Sequence, residues 1–217
     1  MLKVQVFTFN DFSENTIVLW DDESREAAVI DPGNSKPEED EKLIDFISQN
    51  DLLIKYLINT HCHIDHILGL NVVKKKFNPI YLAPENDLEL LKSAEVQGAA
   101  FGMLINSPPE PEKFLREDEQ IKIGESNCQS LFTPGHTLGE FCLYFEKDKI
   151  CITGDVLFRE SIGRTDLWGG DYNTLMNSIK TKLMTLPDEV VIYPGHGIQS
   201  TIGYERINNP FLNSESI

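Results

Sequence analysis

Three of the five histidines in this chain of 217 residues lie close together, in the segment THCHIDH. His61 and His63 are two positions apart, and on an extended chain that spacing puts both side chains on one face. Asp65 and His66 follow where a helix is expected to begin, and they can face the same point. Cys62 lies between the first two histidines, and alternation along the extended segment points its thiol away from both. One short segment therefore offers two separate sets of metal ligands.

The other two histidines occur in matching contexts, each directly after an expected strand. His136 lies in TPGHT and His196 in YPGHG, and Asp155 ends the strand-like segment CITGD. Side chains beyond the carboxyl ends of strands converge on one crevice in α/β architectures. Imidazole and carboxylate donors without thiolates suit Zn, Fe, Mn or Co, and this set exceeds the four ligands of a closed zinc site. The expected chemistry is therefore that of an open or binuclear metal centre of hydrolytic type.

Strands that could position these donors are predicted in both halves of the chain. In the first half, alternating or apolar segments predict strands at LKVQVFTF, NTIVLW, EAAVID, LIKYLINT and PIYLA. Helical spacing is found in residues 37–50, HILGLNVVKKKF and PENDLELLKSAEVQGAAF. Residues 102 to 119 are expected to form a long loop, whose apolar residues 103–105 could line a substrate site or anchor the loop to the core.

The second half of the chain shows the same pattern of predicted strands followed by helices. Strands are predicted at NCQSLFT, EFCLYFE, KICITGD and EVVIY, and helices at DYNTLMNSIKTKLMTL and around TIGYERI. Two similar halves predict an α/β fold with two β layers covered by outer helices. The sequence contains no convincing linker, so residues 1–217 are expected to form a single domain.

Composition and charge exclude several functional classes. Acidic residues number 35 against 19 basic residues, which gives a formal net charge of -16. Such a surface repels polyphosphates, so nucleic-acid binding is not expected. The chain starts without a signal peptide and contains no apolar run near the roughly 18 residues that a membrane span needs. We expect a cytoplasmic protein without membrane contacts, and four cysteines without disulfide-like spacing agree with a reducing compartment.

Together these motifs resemble the metallo-β-lactamase superfamily. The resemblance covers nearly the whole chain, from VIDPG near Asp31 through THCHIDH, TPGHT and the GD pair at 154–155 to PGH at 194–196. It implies the αβ/βα four-layer sandwich of that superfamily, in which two mixed sheets lie between outer helices. SIGRTDLWGGD and TIGYERINNPFL are most similar to short hydrolases of the glyoxalase II type.

The resemblance also assigns the seven donors to two divalent metal ions, with zinc expected and iron or manganese as alternatives. The ligands of one ion would be His61, His63 and His136. The ligands of the other would be Asp65, His66 and His196. Asp155 would bridge the two ions.

The implied activity is hydrolysis of a small-molecule thioester such as S-D-lactoylglutathione by a hydroxide held between the metals. Asp65 could also act catalytically, by accepting a proton from the attacking water. Only 21 residues (217 minus 196) follow His196, so the C-terminal helical extension that binds glutathione in full-length glyoxalase II enzymes is not expected. Glu140, in GHTLGE, stands where many relatives have Ser.

Other activities stay open at the level of the sequence. One alternative is a persulfide dioxygenase with one iron, because that branch of the superfamily shares the GRTD stretch. In this stretch, Arg164 and Asp166 either contact substrate or form a salt bridge within the loop. Against this alternative, persulfide dioxygenases tend to have different residues on each side of the histidine in YPGHG. A nuclease of the ribonuclease Z type is disfavoured by the negative charge and the lack of a basic arm. A degenerate binding module would lack a donor, and all seven are present. A monomer or a homodimer is expected.

Overall fold

The structure, a computed structural model, describes residues 1–117, 119 and 121–213. Residues 118, 120 and 214–217, which include the end of the predicted domain and part of the predicted loop, lie outside this description. Each half of the chain forms one six-stranded mixed sheet. The expected division into two similar halves is confirmed.

The first sheet contains its strands in chain order, with antiparallel pairing at its start and parallel pairing afterwards. The strands are β1 (Leu2–Phe9), β2 (Glu14–Asp21), β3 (Glu26–Ile30), β4 (Leu53–Ile58), β5 (Ile80–Pro84) and β6 (Lys113–Leu115). Parallel neighbours need crossover connections, which helices provide here. These helices are α1 (Pro37–Gln49), α2 (Leu70–Phe77), α3 (Leu88–Lys92) and α4 (Ala94–Ala100), with 3₁₀ turns at Ile64–His66 and Glu85–Asp87.

The second sheet also combines antiparallel pairs with one parallel pair. Its strands are β7 (Ile121–Ile123), β8 (Ser126–Phe132), β9 (Phe141–Phe145), β10 (Ile150–Gly154), β13 (Val191–Pro194) and β14 (Ser200–Thr201), and a separate hairpin contains β11 (Leu157–Phe158) and β12 (Ser161–Ile162). The helical segments are a 3₁₀ turn at Glu146–Asp148, α5 (Tyr172–Ser178) with a π-helical continuation at Ile179–Leu183, α6 (Ile202–Asn208) and α7 (Pro210–Asn213).

Three clusters of buried apolar side chains hold four layers together. Between the sheets, Ile30 and Ile58 of the first sheet belong to the same cluster as Leu143 of the second. The outer face of the first sheet packs against its helices through residues such as Leu43 of α1. The outer face of the second packs against α5 through residues such as Leu175. The αβ/βα four-layer sandwich is thus confirmed.

Two local predictions were wrong. The single helix expected over PENDLELLKSAEVQGAAF is interrupted at Ser93, whose hydroxyl donates to the carbonyl of Leu90 and so competes with the helical ladder. The loop expected over residues 102–119 contains β6, which is anchored because the backbone N–H of Tyr81 donates to the Glu112 carboxylate at 2.8 Å. At the start of that loop, Ile105 packs against the core whereas Leu104 is fully exposed, so residues 103–105 do not all anchor the loop.

Candidate metal centre

All seven predicted donors lie at one edge of the sandwich, in loops that follow strands of both sheets. Four of them come directly after β4 of the first sheet: His61, His63, Asp65 and His66. Three come after β8, β10 and β13 of the second sheet, in that order: His136, Asp155 and His196. The structure therefore brings together every residue that the sequence selected for this site.

The first group contains His61, His63 and His136, each of which offers one ring nitrogen within 4.8 Å of the others. Nδ1 of His63 lies 2.8 Å from Nε2 of His136, although these residues are far apart in the sequence. The His61 and His136 side chains are almost completely buried. This grouping is the one that the resemblance implied.

The second group contains Asp65, His66 and His196, whose donor atoms also lie within 4.8 Å of one another. Oδ2 of Asp65 is 3.1 Å from Nε2 of His196 and 3.6 Å from Nε2 of His66. This second grouping also agrees with the prediction.

The carboxylate of Asp155 lies between the two groups. Its Oδ2 is 3.5 Å from Nε2 of His136 and 3.7 Å from Nε2 of His196, and its Oδ1 is 3.6 Å from Nε2 of His66. Two donors on one tetrahedral ion with bonds of about 2.1 Å lie roughly 3.4 Å apart. The distances around Asp155 therefore suit a carboxylate that is shared between two ions.

The hydrogen bonding of the buried donor atoms also fits a metal centre. Nε2 of His61, Nε2 of His66 and Oδ1 of Asp155 are inaccessible to solvent and have no hydrogen-bond partner among the described residues. A buried polar atom without a partner is costly, unless something else in the site satisfies it. A pair of divalent ions would satisfy all three atoms, so the residues present fit the dinuclear centre.

Backbone carbonyl groups orient two of the histidines. Nδ1 of His136 lies 2.7 Å from the carbonyl oxygen of Arg164, and Nδ1 of His196 lies 3.2 Å from that of Ser13. With Nδ1 occupied in this way, Nε2 of each ring is directed at the donor groups. Such outer partners fix the tautomer of a metal-binding histidine. These carbonyl partners could not be predicted from the sequence, because a backbone carbonyl can belong to any residue.

Buried side chains lie behind the two deepest histidines. Nδ1 of His66 is 3.3 Å from a carboxylate oxygen of Asp31. Nδ1 of His61 is 3.1 Å from the hydroxyl of Thr60 and 3.6 Å from Oε1 of Glu140. Asp31 and Glu140 were singled out in the sequence without a role. In the structure, each places a carboxyl group beside Nδ1 of a proposed metal ligand.

Comparison with known proteins identifies the family. The model of the metallo-beta-lactamase superfamily matches residues 10–196, a span that contains all seven donors. The chain belongs to this superfamily. It is 40% identical over 217 residues to hydroxyacylglutathione hydrolase GloC of Haemophilus influenzae, covering 99% of this chain and 100% of that protein.

Solved structures agree with the family assignment. The chain is similar to BLEG-1 B3 metallo-beta-lactamase with a TM-score of 0.89 and 32% identity, covering 98% of this chain and 100% of that one. It is also similar to TTHA1623 in a di-iron-bound form, with a TM-score of 0.86 and 33% identity over 96% of this chain and 100% of that one. The protein is therefore a metallohydrolase of the metallo-beta-lactamase superfamily, and its donors imply a site for two divalent ions.

Electrostatics distinguish the two groups of this metallohydrolase. Burial lowers the pKa of His63 to about 3 and that of His136 to about 4, so both imidazoles are neutral near pH 7. Burial also acts on His66, but the carboxylates of Asp65 and Asp155 outweigh it and raise the pKa of His66. Neutral imidazole is the form that binds a metal. The imidazoles of His63 and His136 are thus already in the metal-binding form, whereas the carboxylates around His66 favour its protonated form.

Cys62, which the sequence placed between two ligands, is not directed at them. Its side chain is completely buried in the apolar cluster beneath α2 and α3. Burial raises the pKa of this thiol well above its usual value, which disfavours the thiolate that a metal would need. The prediction that alternation points Cys62 away from both histidines agrees with this position.

A cavity of about 600 Å³ lies directly above the donor groups. Its floor contains His63, His136, Asp155 and His196, and most of its other lining residues are apolar. Arg164 also lines it and forms a bidentate ion pair with Asp166, with both N to O distances at 2.7 Å. The pair forms a salt bridge within the loop, as one of the two interpretations expected, and Arg164 alone of the two residues borders the cavity. Residues 103–105 are not among the lining residues.

Proposed function

We propose that this metallohydrolase cleaves small-molecule thioesters of the S-D-lactoylglutathione type. The observation that carries the proposal is the similarity to a hydroxyacylglutathione hydrolase, which extends over 99% of this chain at 40% identity. The donor groups, the shared Asp155 and the cavity above them give this similarity a chemical basis. We also propose zinc as the native metal, with iron as the alternative because TTHA1623 was solved in a di-iron-bound form.

The balanced reaction needs little beyond what this site offers. Water oxygen becomes bonded to the carbonyl carbon, the carbon to sulfur bond breaks, and the products are a carboxylic acid and a thiol. Divalent ions held by the seven donors would supply an activated water and polarise the carbonyl oxygen. Because a thiol has a pKa of about 8.5, the sulfur can leave as a thiolate without a strong general acid. A serine or cysteine nucleophile is therefore not required.

Asp65 is placed to handle the proton of the attacking water. Burial raises the pKa of Asp65, but the positive charges of His66 and His196 outweigh burial and hold it below the usual value. The side chain is consequently a carboxylate near neutral pH, divalent ions in place of these charges would favour the same form, and Asp65 borders the cavity. A carboxylate at this position can orient a water molecule and accept its proton.

Thiol release from S-D-lactoylglutathione, followed with a thiol-reactive dye, tests the proposal on protein of measured metal content. We expect release that disappears on chelation and returns when zinc is added. The four cysteines are buried, so the folded protein should add little background. A chromogenic cephalosporin is assayed in parallel, because the chain is also similar to BLEG-1 B3 metallo-beta-lactamase.

Absence of thiol release from metal-loaded protein would contradict the proposal. Cleavage of the cephalosporin alone would then identify a β-lactamase. Oxygen uptake with a glutathione persulfide and iron-loaded protein would instead identify the dioxygenase alternative.

A further inference from the structure

The cavity above the donors has an apolar wall on the side of the first sheet. This wall contains Leu90 of α3, Ala100 of α4, and Phe101, which directly follows α4. Phe12, from the turn between β1 and β2, completes it and packs edge to face against Phe101, with the ring centroids 5.0 Å apart. Helix, turn and loop thus combine into a continuous aromatic and aliphatic surface.

A second wall belongs to the second half of the chain and is also apolar. It contains Phe158 and Ile162 of the β11–β12 hairpin, followed by Leu167 and Trp168. The Phe158 ring lies 6.3 Å from the ring of His196, so this surface begins directly beside the donors. Leu167 is 40% exposed and Trp168 59% exposed, although both face the cavity. A ligand between the walls would remove this apolar surface from water.

Apart from the metal site at its floor, the cavity offers little charge that would bind a strongly ionic ligand. Among the described residues that line it, Arg164 is the one with a permanent positive charge, and Asp166 already pairs with it through two hydrogen bonds. Glutathione carries carboxylates at both ends and is strongly hydrated. The walls therefore suit the acyl side of the thioester, while the ionic carrier extends toward solvent at the cavity mouth.

We infer that the preferred substrates carry an apolar acyl group larger than lactoyl, aromatic or branched, which packs between these two walls. The inference rests on the proposed thioesterase function and specifies its substrate class. The methyl group of a lactoyl substrate fills little of a cavity of about 600 Å³. A phenyl group in its place would bury more apolar surface against the cavity walls, and a well-fitted apolar group changes kcat/KM by about 10- to 200-fold per methylene-sized increment.

The test compares S-D-mandeloylglutathione with S-D-lactoylglutathione on zinc-loaded protein. Both thioesters contain the same thiol carrier and the same 2-hydroxyl group, and they differ in a phenyl against a methyl substituent. Each kcat/KM is divided by the rate constant of alkaline hydrolysis of that thioester, which removes the difference in intrinsic reactivity. We expect the normalised value to be at least about tenfold higher for the mandeloyl substrate.

Variants locate the preference in the structure. Leu167→Ala and Trp168→Ala should each reduce the ratio of the two normalised values by about tenfold, because both remove apolar surface from the same wall. Leu104→Ala is the matched control: Leu104 is an exposed leucine that does not line the cavity, and this variant should keep the full ratio.

The outcomes separate the inference from the function on which it rests. Hydrolysis of both thioesters at equal normalised rates, or a preference that persists in both wall variants, would overturn the inference and leave the thioesterase function standing. Hydrolysis of neither thioester by zinc-loaded protein would overturn both.

Discussion

At the scale of single residues, Glu140 connects the two halves of the metal centre. Its Oε1 accepts the backbone N–H of Asp155 at 2.7 Å and lies 3.6 Å from Nδ1 of His61. Its Oε2 is buried and has no hydrogen-bond partner among the described residues. Burial raises the pKa of this carboxyl group. The Glu140 side chain thus contacts one proposed ligand from each half of the chain. These two contacts explain why a buried glutamate is tolerated at this position.

Glu140→Gln should weaken metal binding by about 10- to 100-fold, as expected when an outer partner of a metal ligand is altered. The amide keeps the volume and can still accept from Asp155, but it removes the carboxyl group beside His61. Competition with a chromophoric chelator measures the affinity. Glu41→Gln, which changes an exposed glutamate of α1, is the control. Equal affinities in the parent and the Glu140 variant would show that Glu140 only fills space.

Asp65→Ala should lower kcat by roughly two to four orders of magnitude, because proton transfer by a positioned group contributes about that much. The same change also removes a proposed ligand. Turnover must therefore be measured on protein whose metal content matches that of the parent. Parental turnover in a fully metal-loaded Asp65 variant would rule out a role in proton transfer.

Residue types explain what the sequence could reveal about the site. Histidine is rare in this chain, so its clustering in THCHIDH and its recurrence after strands pointed to residues that the structure brings together at one site. The partners behind the donors could not be found in this way. Glu140 contacts His61 across a separation of 79 positions (140 minus 61), and the acceptors for His136 and His196 are backbone oxygens. Contacts of this kind depend on the folded topology rather than on a local pattern.

At the scale of elements, the loop that carries His136 is fixed by its contact with α5. The backbone of Gly135 accepts the N–H of Asp171 at 2.8 Å and has a φ of +131°. A side chain at Gly135 would place its Cβ 2.2 Å from the backbone nitrogen of Leu175. Only glycine allows the loop and the helix to approach this closely.

Gly135→Ala should lower the free energy of unfolding by about 2 kcal/mol or more, because backbone strain and overlap with α5 add together. Gly102→Ala provides a matched control. Gly102 also has a positive φ, of +72°, but no neighbouring atom would lie within 4 Å of an added Cβ. Strain alone should cost the control about 1 kcal/mol. Urea denaturation measures both, and equal losses would contradict the importance of the contact with α5.

Helices and strands whose apolar residues recur with a clear period could be predicted from the sequence, whereas the shortest strands could not. Leu43 and Ile47 lie one turn apart on α1, which begins at Pro37 with an acidic first turn, and the helix formed as expected. Strands β6 and β7 contain three residues each, too few for a period to be recognised. Their pairing with β5 and β8 depends on neighbours that the fold supplies.

At the scale of the whole molecule, the metal centre joins the two halves of the sandwich. The first donor group combines His61 and His63 from one half with His136 from the other. The second group combines two donors of the first half with His196. Each ion would therefore cross-link the two sheets, and metal binding should stabilise the entire fold rather than one loop.

Zinc should raise the melting temperature of metal-stripped protein by roughly 10 °C or more. Each ion at about 100 times its Kd contributes about 2.7 kcal/mol, so two ions contribute about 5.4 kcal/mol, and 1 kcal/mol shifts the melting temperature of a domain of this size by about 2–4 °C. Differential scanning fluorimetry with and without zinc measures the shift. The control is the triple variant His136→Ala, Asp155→Ala, His196→Ala, which keeps the four donors after β4 but removes all three donors of the second half. Because those four donors lie within one segment, zinc bound to them cannot cross-link the halves in the same way, and the shift should fall to a few degrees. A shift as large as that of the parent would mean that the segment after β4 binds the metals alone, and that the stabilisation does not arise from linking the sheets.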